Sequence, residues 1–434
     1  MVVVGTTRYS QRPKLRDVHG MLNTFPPSRF GSGVMDSSHT QGRIAEGLAA
    51  DRRQRLSAPP SCSEGAPTRA RVAAVRPLLD NSLSILNRTG AYHIAKDLCG
   101  AFVPEYARAR YWRLGSWAPE GLIRKILARL MMLEINWLRD GGAFLVGGKH
   151  DESGVTVFLD PLYVLRADLV ERDIVLCHDV GPLTHSFLYD SATVANYRIA
   201  YEKIRRRKPG IVFVSDWSKG KFISLFGSDF RFLRTIPLYV RTELFDGPMV
   251  PLSCADGPDG GPFFLTVGAF ETRKNQIAAL EAYRNGGFHA QGVKYVLCGP
   301  RGDGSGPLIN FAKSVPGVVL PGCVPDNQLR WLYAHAEAFV LPSLLEGFGM
   351  PALEAAYMGL LPVVSEGSAL VEAVHGACIE VPASDRAAIV QAMARALARS
   401  PHEKSEAGRR LREVASRATK ERFLLQWSDL LFEP

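Results

Sequence analysis

The sequence predicts an α/β protein of two doubly wound domains that face a central cleft. Short apolar segments of strand length alternate with helical stretches, which is typical of a parallel sheet covered by helices. The alternation occurs in two series, separated by the Gly-, Pro- and Asp-rich segment 246–262, which we interpret as a linker. The length of 434 residues is natural for two hydrophobic cores and long for one.

The first series spans 72–245 and opens with a strand predicted over 72–79. A turn at 87–90 leads into a helix that begins near Tyr92. The later strands of this series are predicted from short apolar runs at 142–146, 155–159, 174–177, 211–214 and 234–237.

The second series spans 263–420, and a helix at 421–434 is expected to pack back on the first domain. Its strands are predicted at 263–267, 294–298, 318–320, 338–341 and 361–364. Its helices are predicted around 275–283, at 326–335, from Pro351, at 385–397 and at 403–431. The glycine-rich segment 301–306 lacks G-x-G-x-x-G spacing, so we predict a flexible loop with no helix after it.

Composition and charge exclude several classes of protein. Residues 1–70 are predicted to be a disordered basic tail, and their ten basic and five acidic residues account for more than half of the net charge of +9. Because no nucleic-acid motif accompanies the remaining charge, we expect no nucleic-acid partner. The seven scattered cysteines form no CxxC pair, which argues against a zinc site and for a reducing compartment. No apolar run reaches the ~18 residues of a membrane-spanning helix. We therefore expect a cytoplasmic protein, soluble or peripheral on the inner face of the plasma membrane.

The most informative segment is 339–362, in which an apolar strand ends at Pro342 and a helix begins near Pro351. A strand, a glycine-containing loop and a helix start together form a common anion-binding arrangement. Two carboxylates beside such a site would repel a bare phosphate, so the ligand should also carry hydroxyl groups, as a sugar nucleotide does. The residues concerned are Ser343, Glu346, Gly347, Phe348, Gly349 and Glu354.

A second candidate follows the first strand of the second domain. Gly268 begins a loop that contains Arg273 and Lys274 and leads into a helix. An arginine that binds two oxygens beside a lysine that adds a compact charge would clamp a diphosphate. The alternative is a solvated basic turn, since charged turns are common.

Two further candidates follow strands of the first domain. His178 follows the strand at 174–177. It could contact a ligand or move a proton, or its only hydrogen-bond partner could be Asp179 within a turn. Gly90, after Thr89, would let the backbone approach a ligand closely, or it could belong to a plain turn.

The segment 121–139 has apolar residues at helical spacing, with Arg124, Lys125 and Arg129 close by. A basic amphipathic helix of this kind can lie on an anionic membrane. The alternative is a helix that packs on the sheet of its own domain.

Together these residues resemble glycosyltransferase family 4, over roughly residues 72–420. Glu346 and Glu354 match the family's E-x7-E signature within an EGFG-x-P-x-x-E context. Other family elements are matched by Thr89-Gly90, His178, Ser215 with Ser218, and the pair Arg273-Lys274.

The resemblance implies a GT-B fold of two Rossmann-like domains, the first binding the acceptor and the second a nucleotide sugar. It implies that Glu354 binds the ribose, and that Glu346 with the Gly347–Gly349 backbone holds the transferred sugar. Arg273 and Lys274 would stabilise the leaving diphosphate in place of a metal. His178 would contact the donor, and Gly90, Gly268 and Ser343 complete the expected donor site.

The implied reaction is retaining sugar transfer without a cofactor or a metal. Mannose is favoured as the sugar and GDP-mannose as the donor. The acceptor would be a saccharide on a lipid carrier, in surface polysaccharide assembly. The alternatives are a sugar-nucleotide epimerase or phosphorylase of the same fold, or a non-catalytic nucleotide-sugar-binding scaffold.

Overall fold

The computed structural model describes residues 76–86, 90–142, 154–252 and 261–432. Several expectations fall outside these residues. They are the tail 1–70, Thr89, the strand expected after Gly142 and part of the linker 246–262.

The first domain contains a parallel six-stranded sheet with helices packed against it. Its strands are β1 (Leu78–Asp80), β2 (Arg108–Arg110), β3 (Thr156–Phe158), β4 (Ile174–Cys177), β5 (Gly210–Phe213) and β6 (Phe232–Thr235), in the order β2-β1-β3-β4-β5-β6. Its helices are α1 (Leu83–Leu86), α2 (Gly90–Phe102), α3 (Gly121–Arg139), α4 (Gly181–Thr184), α5 (Ser191–Arg207) and α6 (Asp216–Phe226). Strand β4 is apolar and buried at every position, as expected of a central strand covered on both faces.

The second domain repeats this architecture. Its strands are β7 (Phe263–Val267), β8 (Lys294–Cys298), β9 (Val318–Gly322), β10 (Ala338–Leu341), β11 (Pro362–Ser365) and β12 (Ile379–Val381), in the order β12-β11-β10-β7-β8-β9. Its helices are α7 (Gln276–Asn285), α8 (Ser305–Ala312), α9 (Asp326–His335), α10 (Met350–Met358), α11 (Ala369–Ala373), α12 (Arg386–Leu397), α13 (Pro401–Ala415) and α14 (Lys420–Phe432). The predicted pair of doubly wound sheets is confirmed.

Several strands differ from the sequence predictions, and strand β12 was not predicted at all. The edge strand β2 was not predicted, because its Arg-Ala-Arg sequence carries no apolar pattern. The strand expected at 234–237 is β6, which ends at Thr235. Pro237, two residues on, has no N–H with which to extend the ladder.

Two helix predictions were wrong. A helix, α8, does follow the glycine-rich segment 301–306, and it begins inside that segment at Ser305. The single helix expected over 403–431 is two helices, α13 and α14, with a break after Ala415. The hydroxyl of Thr419 accepts a hydrogen bond from the Arg422 N–H at 3.2 Å and so helps to start the second helix.

Helix α14 lies against the first domain although it ends the second series. The rings of Phe432 and Phe102 meet edge to face with centroids 5.6 Å apart. Lys420 Nζ lies 2.7 Å from an oxygen of the buried Asp97 carboxylate on α2. The end of the chain therefore links the two domains on the side of α2.

Candidate functional site

A cleft of about 570 Å³ lies between the two domains. Many of its lining residues directly follow strands, including His178 after β4 and Gly268 after β7. The volume is in the range of small-molecule sites in proteins. Of the predicted site residues, the lining contains Gly90, His178, Gly268, Arg273, Lys274, Glu346, Gly347, Phe348, Gly349 and Glu354. Ser343 is not part of the lining.

The two predicted elements of the second domain meet at the Glu346 carboxylate. Lys274 Nζ lies 2.6 Å from Oε1, and Arg273 Nη1 lies 2.7 Å from Oε2. The other end of the guanidinium, Nη2, lies 2.7 Å from Glu271. Arg273 and Lys274 are thus not a solvated turn, since they bridge to the loop after β10 and are oriented by its carboxylate.

The charge state of Glu346 follows from these contacts. Burial raises the pKa of this carboxyl, but the charges of Arg273 and Lys274 and their hydrogen bonds outweigh burial and lower it to about 2. Burial likewise disfavours the charged form of Arg273, while Glu346 and Glu271 raise its pKa. Both partners are therefore ionised at neutral pH. The lysine has three N–H donors and the guanidinium five, so each retains donors beyond those used on Glu346.

The backbone places the two cations. A short 3₁₀ turn, Thr272–Lys274, is followed by Asn275 in the left-handed region at φ 54°. The Asn275 side chain donates to the carbonyls of Pro342 (3.0 Å) and Ala383 (2.8 Å), which fixes the turn to the neighbouring loops. Gly268 has φ 142°, and a Cβ there would lie 3.2 Å from Lys274 Cε. The small residue therefore leaves room for the lysine chain.

Gly347 brings the loop after β10 against the first domain. A Cβ on this glycine would lie 2.3 Å from the carbonyl oxygen of His178. The Gly347 carbonyl accepts hydrogen bonds from the hydroxyls of Ser215 (2.6 Å) and Ser218 (3.1 Å), at the start of α6. The Ser218 hydroxyl also donates to the His178 carbonyl at 3.1 Å. These contacts hold the loop that carries Glu346 against the strand end that carries His178.

Helix α10 begins beside this loop. Gly349 precedes its first residue with φ 107°, and a Cβ there would lie 2.4 Å from Leu370 Cδ2. Pro351 occupies the first turn, as predicted, where a missing N–H leaves no partner unsatisfied. The N-terminal end of the helix is therefore held at the cleft, where it favours an anion.

Glu354 is almost completely buried and has partners that the sequence analysis did not foresee. The Arg241 guanidinium donates two hydrogen bonds to Glu354 Oε1, from Nη2 at 2.6 Å and from Nε at 3.0 Å. The Tyr333 hydroxyl donates to Oε2 at 3.0 Å. A carboxylate offers about four lone-pair positions. The three hydrogen bonds use two positions on Oε1 and one on Oε2. One position on Oε2 therefore remains for a ligand hydroxyl.

His178 contacts the backbone instead of Asp179. Its Nε2 lies 3.0 Å from the carbonyl oxygen of Leu159, whereas Asp179 Oδ1 accepts from the Gly181 N–H at 2.7 Å. Beside them Asp160 follows β3 and accepts hydrogen bonds from Tyr197 at 3.0 and 3.2 Å. Burial raises the pKa of the Asp160 carboxyl, an effect that the charge of His178 opposes.

The remaining predicted residues have supporting positions. Gly90 is the first residue of α2, where a Cβ would make an ordinary contact of 3.4 Å with Met350 Sδ. Ser343 lies beneath the loop, where its hydroxyl donates to Glu346 Oε1 at 3.3 Å and its carbonyl accepts from Ser365 at 2.7 Å. Ser343 therefore holds Glu346 in place. Among the described residues, no cluster of His, Cys, Asp and Glu could hold a metal ion.

Asp160 and Arg241 were not predicted, because neither belongs to a recognisable local motif. A position just after a strand was the available signal for Asp160, two residues beyond β3. Arg241 lies six residues beyond β6, and its partner Glu354 on α10 is distant in the sequence.

The chain is similar in sequence to known glycosyltransferases. Residues 256–415 match the family described as "Glycosyl transferases group 1". A stretch of 230 residues is 29% identical to the O-antigen chain mannosyltransferase B of Escherichia coli, covering 51% of this chain and 60% of that relative. The chain thus spans less than two thirds of the length of this curated relative.

Solved structures show the same fold. The sucrose-phosphate synthase from Thermosynechococcus elongatus aligns with a TM-score of 0.56 at 17% identity, over 82% of this chain and 98% of that one. Anabaena HepE, in complex with UDP and glucose, aligns with a TM-score of 0.55 at 15% identity, over 82% and 99% of the two chains. The trehalose-6-phosphate synthase OtsA aligns with a TM-score of 0.55 at 15% identity, over 74% and 80%. The predicted GT-B fold and the resemblance to glycosyltransferases are confirmed, while membership of family 4 stays a prediction.

Proposed function

We propose that the protein is a retaining glycosyltransferase that moves a sugar from a nucleotide sugar to a saccharide acceptor in surface polysaccharide assembly. The observation that carries the proposal is the contact of Arg273 and Lys274 with Glu346 at the cleft. Two oriented cations with spare donors suit the charge that a nucleoside diphosphate gains when it leaves a sugar. The glycosyltransferase family match over residues 256–415 includes all three residues.

Glu346 suits positioning better than proton transfer. A general base works best when its pKa lies near the working pH. The pKa of about 2 makes this carboxylate a weak base, and both of its oxygens already bind cations. We therefore assign Glu346 to orienting the two cations and accepting a hydrogen bond from the transferred sugar. The main contribution of the protein is then electrostatic stabilisation of the leaving diphosphate, without a metal.

Glu354 would receive the nucleotide. Its remaining acceptor position on Oε2 suits one ribose hydroxyl, and the nearby N-terminus of α10 suits a phosphate. The first domain would supply His178, which would contact the donor, and the hydrogen-bonded Asp160 beside it.

Mannose is the favoured sugar and GDP-mannose the proposed donor, because a relative of this chain is a mannosyltransferase. That relative acts on an O-antigen chain by its name, which supports a saccharide acceptor. We further propose that the acceptor saccharide is attached to a lipid carrier.

Release of nucleoside diphosphate tests the reaction. The full chain would be incubated with GDP-mannose, UDP-glucose or a dTDP-linked sugar, each with and without an extract of lipid-linked saccharides and with EDTA. We expect GDP release from GDP-mannose that depends on the extract and survives the chelator. Sugar transfer from a different nucleotide would change the donor assignment, and an absence of release from every donor would contradict the proposed activity. Interconversion of the nucleotide sugars without any acceptor would instead identify an epimerase.

A further inference from the structure

Exposed apolar side chains are concentrated on helix α3 and just before it. Seven of the thirteen large apolar residues with high exposure among the described residues fall between 117 and 137. On the helix itself they are Leu122, Ile123, Ile126, Leu130, Leu133 and Trp137, with exposures from 47% to 72%, and Trp117 precedes it.

These residues form one continuous stripe. Leu122, Ile126, Leu130, Leu133 and Trp137 follow each other at intervals of three or four residues, which places them on one face of a helix. Met131 and Ile135 are buried and belong to a different face. That inner face packs against α1, α5 and the 3₁₀ helix Pro161–Arg166. Helix α3 therefore has an apolar inner face that the fold covers and an apolar outer face that solvent reaches.

The exposed charges within α3 that lie beside the outer stripe are basic, while Glu120 and Asp140 flank the helix at its two ends. Lys125 and Arg129 are exposed and lie one turn apart, beside Ile126 and Leu130. The one acidic residue within the helix, Glu134, points away, with Arg113 at 2.5 Å and Arg166 at 2.9 Å from its two oxygens. The stripe thus combines four aliphatic residues with Trp137, and it has Trp117 just before the helix and two exposed basic residues beside it. This is the composition of a helix that lies in a membrane interface.

Only the elements beneath α3 separate its outer face from the cleft. The inner face of α3 contacts α5, whose Thr193 and Tyr197 line the cleft. It also contacts the 3₁₀ helix that begins at Pro161, another lining residue. A surface held against α3 would lie one layer of helices from the acceptor side of the site.

We propose that the outer face of α3 docks the protein on an anionic lipid bilayer, with the apolar stripe inserted among the acyl chains and Lys125 and Arg129 at the headgroups. Within the residues that the structure describes, no helix meets the length and hydropathy of a transmembrane span. Docking would bring lipid-linked saccharides to the cleft, a consequence that rests on the proposed function, whereas the docking itself does not.

Cosedimentation with vesicles tests the proposal. The full chain would be mixed with vesicles of phosphatidylcholine alone and of phosphatidylcholine with phosphatidylglycerol. We expect binding to the anionic vesicles that weakens with salt. Ile126→Gln with Leu133→Gln should lower the partition coefficient by about tenfold or more, because two inserted apolar side chains are lost. Lys125→Gln with Arg129→Gln should lower anionic binding and flatten its salt dependence.

The matched control is Leu225→Gln with Leu425→Gln, two similarly exposed leucines on α6 and α14. This variant should bind as the wild type does. Urea unfolding checks that each double variant keeps its fold. Separately, the rise in melting temperature on adding nucleotide shows whether the donor site of the Ile126→Gln, Leu133→Gln variant is intact. Wild-type protein that stays in the supernatant would overturn the proposal, as would unchanged binding of the Ile126→Gln, Leu133→Gln variant. A wild-type dimer that this variant dissociates would assign the face to a second copy of the chain instead.

Discussion

Arg241 and Glu354 form an ion pair across the domain boundary, with Nη2 2.6 Å from Oε1. The arginine follows the first sheet, and the glutamate lies on α10 of the second domain. Their side chains are 24% and 2% exposed. The pair therefore ties the carboxylate proposed to receive the nucleotide to the opposite domain.

Replacement of Arg241 should show that this pair is energetically coupled. Arg241→Met leaves the buried Glu354 carboxylate with the Tyr333 hydroxyl and no cation, so the free energy of unfolding should fall by about 3 kcal/mol. Glu354→Gln in the same chain removes the unpaired charge, and the double variant should be more stable than the sum of the two single losses predicts. Urea unfolding of all four proteins measures this. Strict additivity would mean that the ion pair contributes no coupling.

Lys274→Ala should reduce catalysis more than stability. Loss of one of two cations at the leaving diphosphate should lower turnover by about 100-fold or more. Glu346 keeps Arg273 as a partner, so the variant should remain folded. Initial rates with GDP-mannose, the proposed donor, beside a melting curve, provide the measurement. Lys404→Ala, which breaks the more exposed pair with Glu337, is the control and should leave turnover unchanged. Near-normal turnover in Lys274→Ala would remove the lysine from the proposed mechanism.

The ionised Glu346 carboxylate should stabilise the fold at neutral pH, and this stabilisation should decrease in acid. Its folded pKa of about 2 lies below its ordinary value of 4.5. The ionised carboxylate thus contributes its full stabilisation above about pH 4.5, and this contribution is lost as the pH falls towards 2. The difference between the two pKa values corresponds to about 3 kcal/mol of stabilisation of the folded state. In urea unfolding from about pH 5 to about pH 3, the stability gap between wild type and Glu346→Gln should therefore narrow. A gap that stays constant over this range would contradict the low pKa.

Gly347→Ala should disturb the contact between the domains. The new methyl group would overlap the His178 carbonyl, so the loop must move away from Ser215 and Ser218. We expect a loss of about 1–3 kcal/mol in unfolding free energy, together with a marked loss of turnover. Gly220→Ala is the matched control, since a Cβ there meets no atom within 4 Å. In the interior of α6 it should be neutral or raise stability by about 0.5–1 kcal/mol. Equal behaviour of the two variants would mean that the close approach at Gly347 is unimportant.

The sequence was informative where short-range pattern determines structure. Strand β10, the loop with Glu346 and the start of α10 were all predicted, because an apolar run, glycines and a proline act locally. The two sheets were predicted for the same reason. The helix at 121–139 was also located correctly, although its spacing could not show that its inner and outer faces are both apolar.

Contacts between distant segments were not predictable in this way. Arg273 and Lys274 were expected to face a diphosphate, but their pairing with Glu346 joins residues 72 or more positions apart. Arg241 carries no local motif, and its role depends on how closely the first domain approaches α10. Edge strand β2 is held by pairing with β1, which its own charged sequence does not indicate.

The most direct test of the account is the melting temperature of the full chain with GDP, UDP, dTDP and their sugar conjugates, measured in EDTA. A ligand that binds only the folded state stabilises it by about 2.7 kcal/mol at a hundredfold excess over its dissociation constant. We predict stabilisation by GDP and GDP-mannose that is reduced in Lys274→Ala and in Glu354→Gln and is unchanged in Lys404→Ala. If none of the nucleotides raises the melting temperature of the wild type, or if all three variants respond as it does, the cleft around Glu346 is not a nucleotide-sugar site.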